Sequence, residues 1–344
     1  MTDEQRRQVI KNLGARYEDM DTLLEYTKNV FLPRRDTGGD NLSHKWPELW
    51  DKARELCDTP PRLEMFESAA GTIPIIYPGS EADFERLLRE IVYKGKEAPD
   101  MSNVGAQFVF GKTLRFIILS NKPYSGVPAK WFQLDEETWM EKSLTIRKRH
   151  ECAHYYTKRF LGSSRNNLHD ELIADFCGLY AAFGEFHSNW FIKFFDMRAG
   201  IYTKALSETA AAVVRALASA AAKETEAWSK TEGFKCLDEA GWIEYLAGKE
   251  LLEYGEDNIL ETMNEEDLNV VAGGGEKTSY AQDGRLYCTG VNCPRCSGKS
   301  VFARSAGSLK DPECVECTDV KCYGCSAVWS RIIIFPDGSC NFSR

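Results

Sequence analysis

The chain opens with helical patterning. In DEQRRQVIKNLGARY and MDTLLEYTKNVF apolar residues recur every three or four positions, which predicts amphipathic helices before Pro60-Pro61. Two strand-like runs follow, TIPIIYP (Thr72–Pro78) and QFVFGKTLRFIILS (Gln107–Ser120), the second breaking at Gly111-Lys112 into two arms of a hairpin. Between them, EADFERLLREIVYKG has helical spacing. From about Leu144 to roughly Leu268 the pattern is helical. One helix ends near Gly162, a second opens at Asn166-Asn167 and runs to Gly184, and a third is the Ala-rich stretch around Lys204–Ser229. VVAGGGEKTSYAQDG (Val270–Gly284) reads as a flexible linker, and beyond it SVFAR and VWSRIII read as short strands. The expectation is an α+β protein. An N-terminal helical region spans 1–60, a mainly helical body with a small sheet spans 61–269, a linker spans 270–284, and a small β-rich module spans 285–344.

Charge and hydropathy narrow the setting. The first twenty residues contain no uninterrupted apolar run, and the most apolar helical stretch, TAAAVVRALASAAA, carries Arg215 in its middle. Both features predict a cytoplasmic protein that does not span a membrane. The net charge is −9, but residues 285–344 hold eight Lys/Arg against five Asp/Glu, so the body is more acidic than the total. An acidic body is no match for a phosphate backbone, and the mildly basic module is too weakly charged to point to nucleic acid. There is no Walker-type Gly-rich loop and no G-x-S-x-G elbow, so nucleotide hydrolysis and serine chemistry have no support.

Chemistry concentrates in RHECAHYYTKRFLGSSRNNLHDELIAD, which holds three of the five histidines. His150 and His154 are four apart, so on a helix both imidazoles reach one metal ion from one face. Glu151 is placed to act as general base toward a water activated by that metal. A third ligand is available in Glu171. Asp175, one turn further, shares its face and can accept the second N–H of a ligand histidine. Gly162-Ser163-Ser164 supplies the turn between the helices, Asn167 is a candidate N-cap, and Asp170 a capping-box partner. Asp170 is also the alternative ligand to Glu171, but without a same-face acid one turn on.

HECAH followed by DELIAD resembles the gluzincin class of zincin metallopeptidases, in which a Glu ligand and, four residues later, an Asp follow HExxH on the next helix. The resemblance implies a zincin-like catalytic domain over 61–269 and a catalytic zinc on His150, His154 and Glu171. It further implies Glu151 as the base and Asp175 as the group that orients a ligand. Tyr155, Tyr156, His169 and His187 are candidates to stabilise an oxyanion. Leu114–Leu119 is expected to be an edge strand able to pair with an extended peptide substrate.

Cysteines divide the chain a second way. Cys57, Cys152, Cys177 and Cys236 are scattered, as buried or idle thiols are, whereas eight cysteines crowd into the last 57 residues. Cys293-x-x-Cys296 and Cys322-x-x-Cys325 each lead into a strand, the pattern of a zinc ribbon with a tetrahedral structural zinc. Cys314 and Cys317 are the alternative pair, or form a second site with Cys288 and Cys340. The resulting reading is a zinc metallopeptidase acting on a protein or peptide, with one catalytic and at least one structural Zn2+ and a ribbon able to dock a protein partner. The alternative is a zincin-like interaction protein without turnover, whose ribbon docks a protein or nucleic acid. Metal-assisted hydrolysis of a non-peptide amide is a third, lesser reading.

Overall fold

A computed structural model describes residues 1–32, 46–94, 96, 101, 104–111, 114–163, 167–254, 287–288, 301–308, 315–322, 328–334 and 340–343. They divide into two units. One comprises Met1–Lys28, Thr203–Glu224 and Glu250–Arg344, the other Asn29–Tyr202 and Thr225–Lys249.

In the first unit, helix α1 (Asp3–Asn12) begins in a full capping box, Thr2 with Gln5, and places Asp3 and Glu4 at its positive end. Glu250 accepts from the Met1 ammonium at 3.0 Å and from Arg6, tying this helix to the segment around the 3-10 turn Leu251–Tyr254. Helix α2 is Met20–Thr27. The tail forms a five-stranded antiparallel meander in chain order.

The second unit carries helix α3 (Trp46–Leu56) and a four-stranded sheet of β1 (Arg62–Ser68), β2 (Gly71–Tyr77), β3 (Ala106–Phe110) and β4 (Arg115–Leu119), in the order β1-β2-β4-β3. Strands β2 and β4 run parallel at the centre, and their apolar runs reflect burial on both faces. The hairpin expected at Gly111 forms as β3–β4. β1 was not anticipated. RLEMFES breaks its apolar residues with three charges, which suits a half-exposed edge strand and leaves no long apolar run to read. The expectation of an edge strand at Leu114–Leu119 is corrected, because β4 lies between β2 and β3 and its backbone is paired on both sides. The edges are β1 and β3.

Helix α4 (Glu81–Leu87) opens on the Ser80 cap and continues as a π-helical turn over Leu88–Val92. It packs with α3 and the sheet around Phe84, Leu87, Leu88, Phe116 and Ile118. The long helices α5 (Glu136–Phe160) and α6 (Leu168–Phe183) form a hairpin, and α7 (Ser188–Tyr202) follows. Helix α8 (Glu208–Ser229) contains the boundary between the units; α9 (Glu232–Lys235) and α10 (Glu239–Ala247) complete the second. Phe176 and Tyr180 of α6 pack against Phe234 and Trp242, giving α6 an aromatic back to lean on. Helices α5 and α6 meet closely at Gly178, where a Cβ would lie 2.6 Å from the Ile146 carbonyl oxygen. No helix among the described residues is long and apolar enough to cross a membrane.

The tail strands are β5 (Tyr287–Cys288), β6 (Val301–Ser308), β7 (Val315–Cys322), β8 (Val328–Ile334) and β9 (Cys340–Ser343). β6 and β8 coincide with the two strands expected beyond the linker, and the linker itself lies outside the described residues.

Candidate metal centre

Local sequence sets the two helices that build the site. Asp135 caps α5 through the Thr138 N–H at 2.8 Å. Asn167 caps α6 through the Asp170 N–H at 3.0 Å, and Gly184 ends α6 at φ 76°, a left-handed conformation that favours glycine. The Asp170 carboxylate does not return to the cap backbone as a capping-box partner would. It accepts from Ser163 Oγ at 2.8 Å, fastening the entry of α6 to the end of the α5 turn.

With both helices capped, periodicity turns His150 and His154 of α5 toward Glu171 of α6. The three offer ligand atoms within 4.8 Å of one another. His150 Nε2 and His154 Nε2 are 3.1 Å apart, and Glu171 oxygens lie 3.6 Å and 3.5 Å from them. Tetrahedral zinc with bonds of about 2.0–2.1 Å requires ligand separations of about 3.3 Å, so the donors fit a small dication by type and by spacing. All three are buried, at 5–6% exposure.

The opposite edges of both imidazoles are held by carboxylates of α6. Asp175 Oδ1 accepts from His150 Nδ1 at 2.8 Å, which fixes the tautomer that leaves Nε2 free as a donor to a metal. His154 Nδ1 approaches Asp170 Oδ2 to 3.2 Å as an ion pair, without the direction of a hydrogen bond. Burial alone would lower the His154 imidazole, and the Asp170 and Glu171 carboxylates reverse this and hold it well above the usual histidine range. Burial likewise works against ionised Glu171 and Asp175. His154 and His150 with Arg198 outweigh it for Glu171, and Arg198 and His150 for Asp175, so both carboxyls stay below their ordinary range.

Three groups at this centre left no mark in the sequence pattern. Tyr124 donates its hydroxyl to Asp175 and lies 2.9 Å from His150 Nδ1. It sits in the 3-10 turn Tyr124–Gly126 after β4, where Ser125 takes a left-handed φ of 50°. The buried Arg147 of α5 holds that segment through the carbonyls of Ser120 and Lys122, both at 3.0 Å. Burial pulls the Arg147 guanidinium down to about 10. Arg198 and Tyr202 of α7 both reach Glu171 Oε2, at 3.3 Å and 3.0 Å.

Glu151 follows the first histidine and is half-buried. Among the described residues, no hydrogen bond or ion pair engages its carboxylate. The candidates named for the oxyanion are partnered elsewhere. Tyr155 packs on Phe108 and Phe110, and Tyr156 donates to Glu244 at 2.6 Å. His169 binds the Leu246 carbonyl, and burial takes it down to about 4; His187 lies between Glu185 and Glu226. Cys152 and Cys177 are buried thiols raised by desolvation, Cys57 is half-buried and pushed up to about 11, and Cys236 is exposed.

Residues 113–253 match a family model. Its description is "Family of unknown function (DUF7005)". The matched span contains the histidines, the α6 acids, Tyr124, Arg198 and Tyr202, and it stops short of the cysteine-rich tail. No curated protein and no solved structure matches the chain significantly.

Of the ribbon cysteines, Cys293, Cys296, Cys314 and Cys325 lie outside the described residues. Cys322 is the last residue of β7, paired in register with Val301, the first of β6, while Cys317 lies within β7 opposite Ala306 and Ile332. Cys288 ends β5 opposite Phe302, and Cys340 begins β9 opposite Ile334.

Proposed function

We propose that this protein is a zinc-dependent metallopeptidase whose catalytic zinc is held by His150, His154 and Glu171. One observation carries the reading: two imidazole Nε2 atoms and a carboxylate converge in a buried position, and the neighbouring Glu151 has a carboxylate that no described hydrogen bond engages. A zinc ion held there would supply an acidified water, with a pKa of about 7, and would polarise the scissile carbonyl. Glu151 would accept a water proton at its carboxylate and return it to the leaving amine nitrogen. Asp175 orients the His150 ring, and Asp170 draws His154 toward its own carboxylate. The amide bond breaks, water is consumed, and a carboxylate and an amine result.

The tail is assigned a structural zinc on Cys293, Cys296, Cys322 and Cys325. The register supports this choice. Cys322 ends β7 opposite Val301, at the same end of the meander as Cys288, whereas Cys340 is at the opposite end. Hydrolysis of protein or peptide substrates in the cytoplasm, with the ribbon docking a protein partner, completes the proposal.

The test is Glu151→Gln. It should keep the histidine-bound zinc and lose hydrolysis of a denatured-protein or peptide library by a factor on the order of 10²–10⁴. Undiminished hydrolysis would remove Glu151 from the mechanism.

A further inference from the structure

The metal donors do not explain Arg198. Its guanidinium donates through Nη2 to Asp175 Oδ2 and through Nη1 to Glu171 Oε2 at 3.3 Å, while Nε reaches the Phe194 carbonyl at 3.3 Å. Tyr202, one turn along α7, adds its hydroxyl to the same Glu171 oxygen at 3.0 Å. Glu171 is therefore divided between two neighbourhoods. Oε2 is taken up by α7, although it also lies 3.6 Å from His150 Nε2, and Oε1 faces His154 Nε2 at 3.5 Å.

Charge makes this arrangement consequential. Asp170, Glu171 and Asp175 are three buried carboxylates in one cluster, and Arg198 is a permanent cation touching two of them. Buried carboxylates without countercharge are unstable. A guanidinium and a dication beside the same carboxylate meet the same electrostatic need and repel each other.

We propose that Arg198 is a positioning residue that stands in for the metal. It holds Glu171 and Asp175 in the ligating arrangement when no metal is bound, leaves Oε1 as the coordinating oxygen, and weakens metal binding through its charge. The centre is thereby folded without metal, and its occupancy follows the available zinc. The inference rests on the proposed metal site.

Full-length wild type, R198M, R198Q and R198K test it, with H154A giving the baseline for zinc held elsewhere in the chain. The readouts are zinc affinity by chelator competition and Tm with and without zinc. R198M and R198Q should show a lower metal-free Tm, bind zinc at least about tenfold more tightly than wild type, and gain more Tm on zinc addition. R198K keeps the charge without the fork, so its zinc affinity should stay near that of wild type. If the uncharged variants do not fold without metal, zinc should restore them, and failure to do so overturns the inference. Unchanged or weaker zinc affinity in R198M and R198Q, with wild type binding zinc, also overturns it and leaves the metal site standing. Wild type that binds no more zinc than H154A removes the metal site itself.

Discussion

Asp170 and Asp175 lie five residues apart on α6, and each meets one imidazole of α5. Helical periodicity places Asp175 on the face of Glu171, while Asp170, one position before Glu171, is turned toward Ser163 and His154. Removing the charge from Asp170 leaves the Nδ1 edge of His154 without its anionic neighbour. Asp170→Asn should therefore weaken zinc binding about 10–100-fold in chelator competition, and unchanged affinity would reduce Asp170 to a partner of Ser163. Within one helix or a tight helical hairpin, such roles are readable from spacing, as with His150, His154, Glu171 and Asp175. Tyr124, Arg198 and Tyr202 were not readable, because each arrives from another element. Nothing in PYSGV or MRAGIY says which carboxylate it will meet.

At the scale of elements, the α5–α6 contact governs the site. Gly178 sits three residues after Asp175, and Ile146 four before His150. A Cβ at 178 would lie 2.6 Å from the Ile146 carbonyl and 2.9 Å from its Cγ2. Alanine is otherwise the better helix former by about 1 kcal/mol, so the two effects oppose each other. The backbone clash should win. We expect Gly178→Ala to destabilise by about 1–3 kcal/mol in urea unfolding and to weaken zinc binding by spreading His150 from Asp175. A stabilised variant would mean that α5 yields at Ile146. Helix limits were legible here because Asn167 and Gly184 are unambiguous punctuation. The order of the sheet was not, since an apolar run such as RFIIL is equally suited to an edge or a centre. Pairing with β2 on one side and β3 on the other decided that it is central.

For the whole molecule, the donors of the two proposed zincs belong to different units: His150, His154 and Glu171 to one, and the tail strands with Cys322 to the other. Elemental analysis of full-length protein should then find at least two zincs in wild type. One should be lost in His154→Ala and at least one in Cys322→Ser, each without loss of the other. Joint loss from either variant would tie the two sites together. Full zinc in His154→Ala would mean that the histidine pair holds none.

Sequence by itself determined what depends on near neighbours along the chain: much of the helical patterning and the Asn167 cap of α6, the strand runs β2, β3, β4, β6 and β8, and the single face shared by His150 and His154. These follow from backbone periodicity and from capping chemistry, which act over a few residues. Tertiary structure alone decided that β1 pairs at an edge and β4 in the middle. It also decided that Tyr124 and Arg198 close around Asp175 and that Glu171 offers one oxygen to His154 and the other to α7. Such contacts are set by the packing of distant segments, where a buried charge is tolerated only if a partner from elsewhere in the chain meets it.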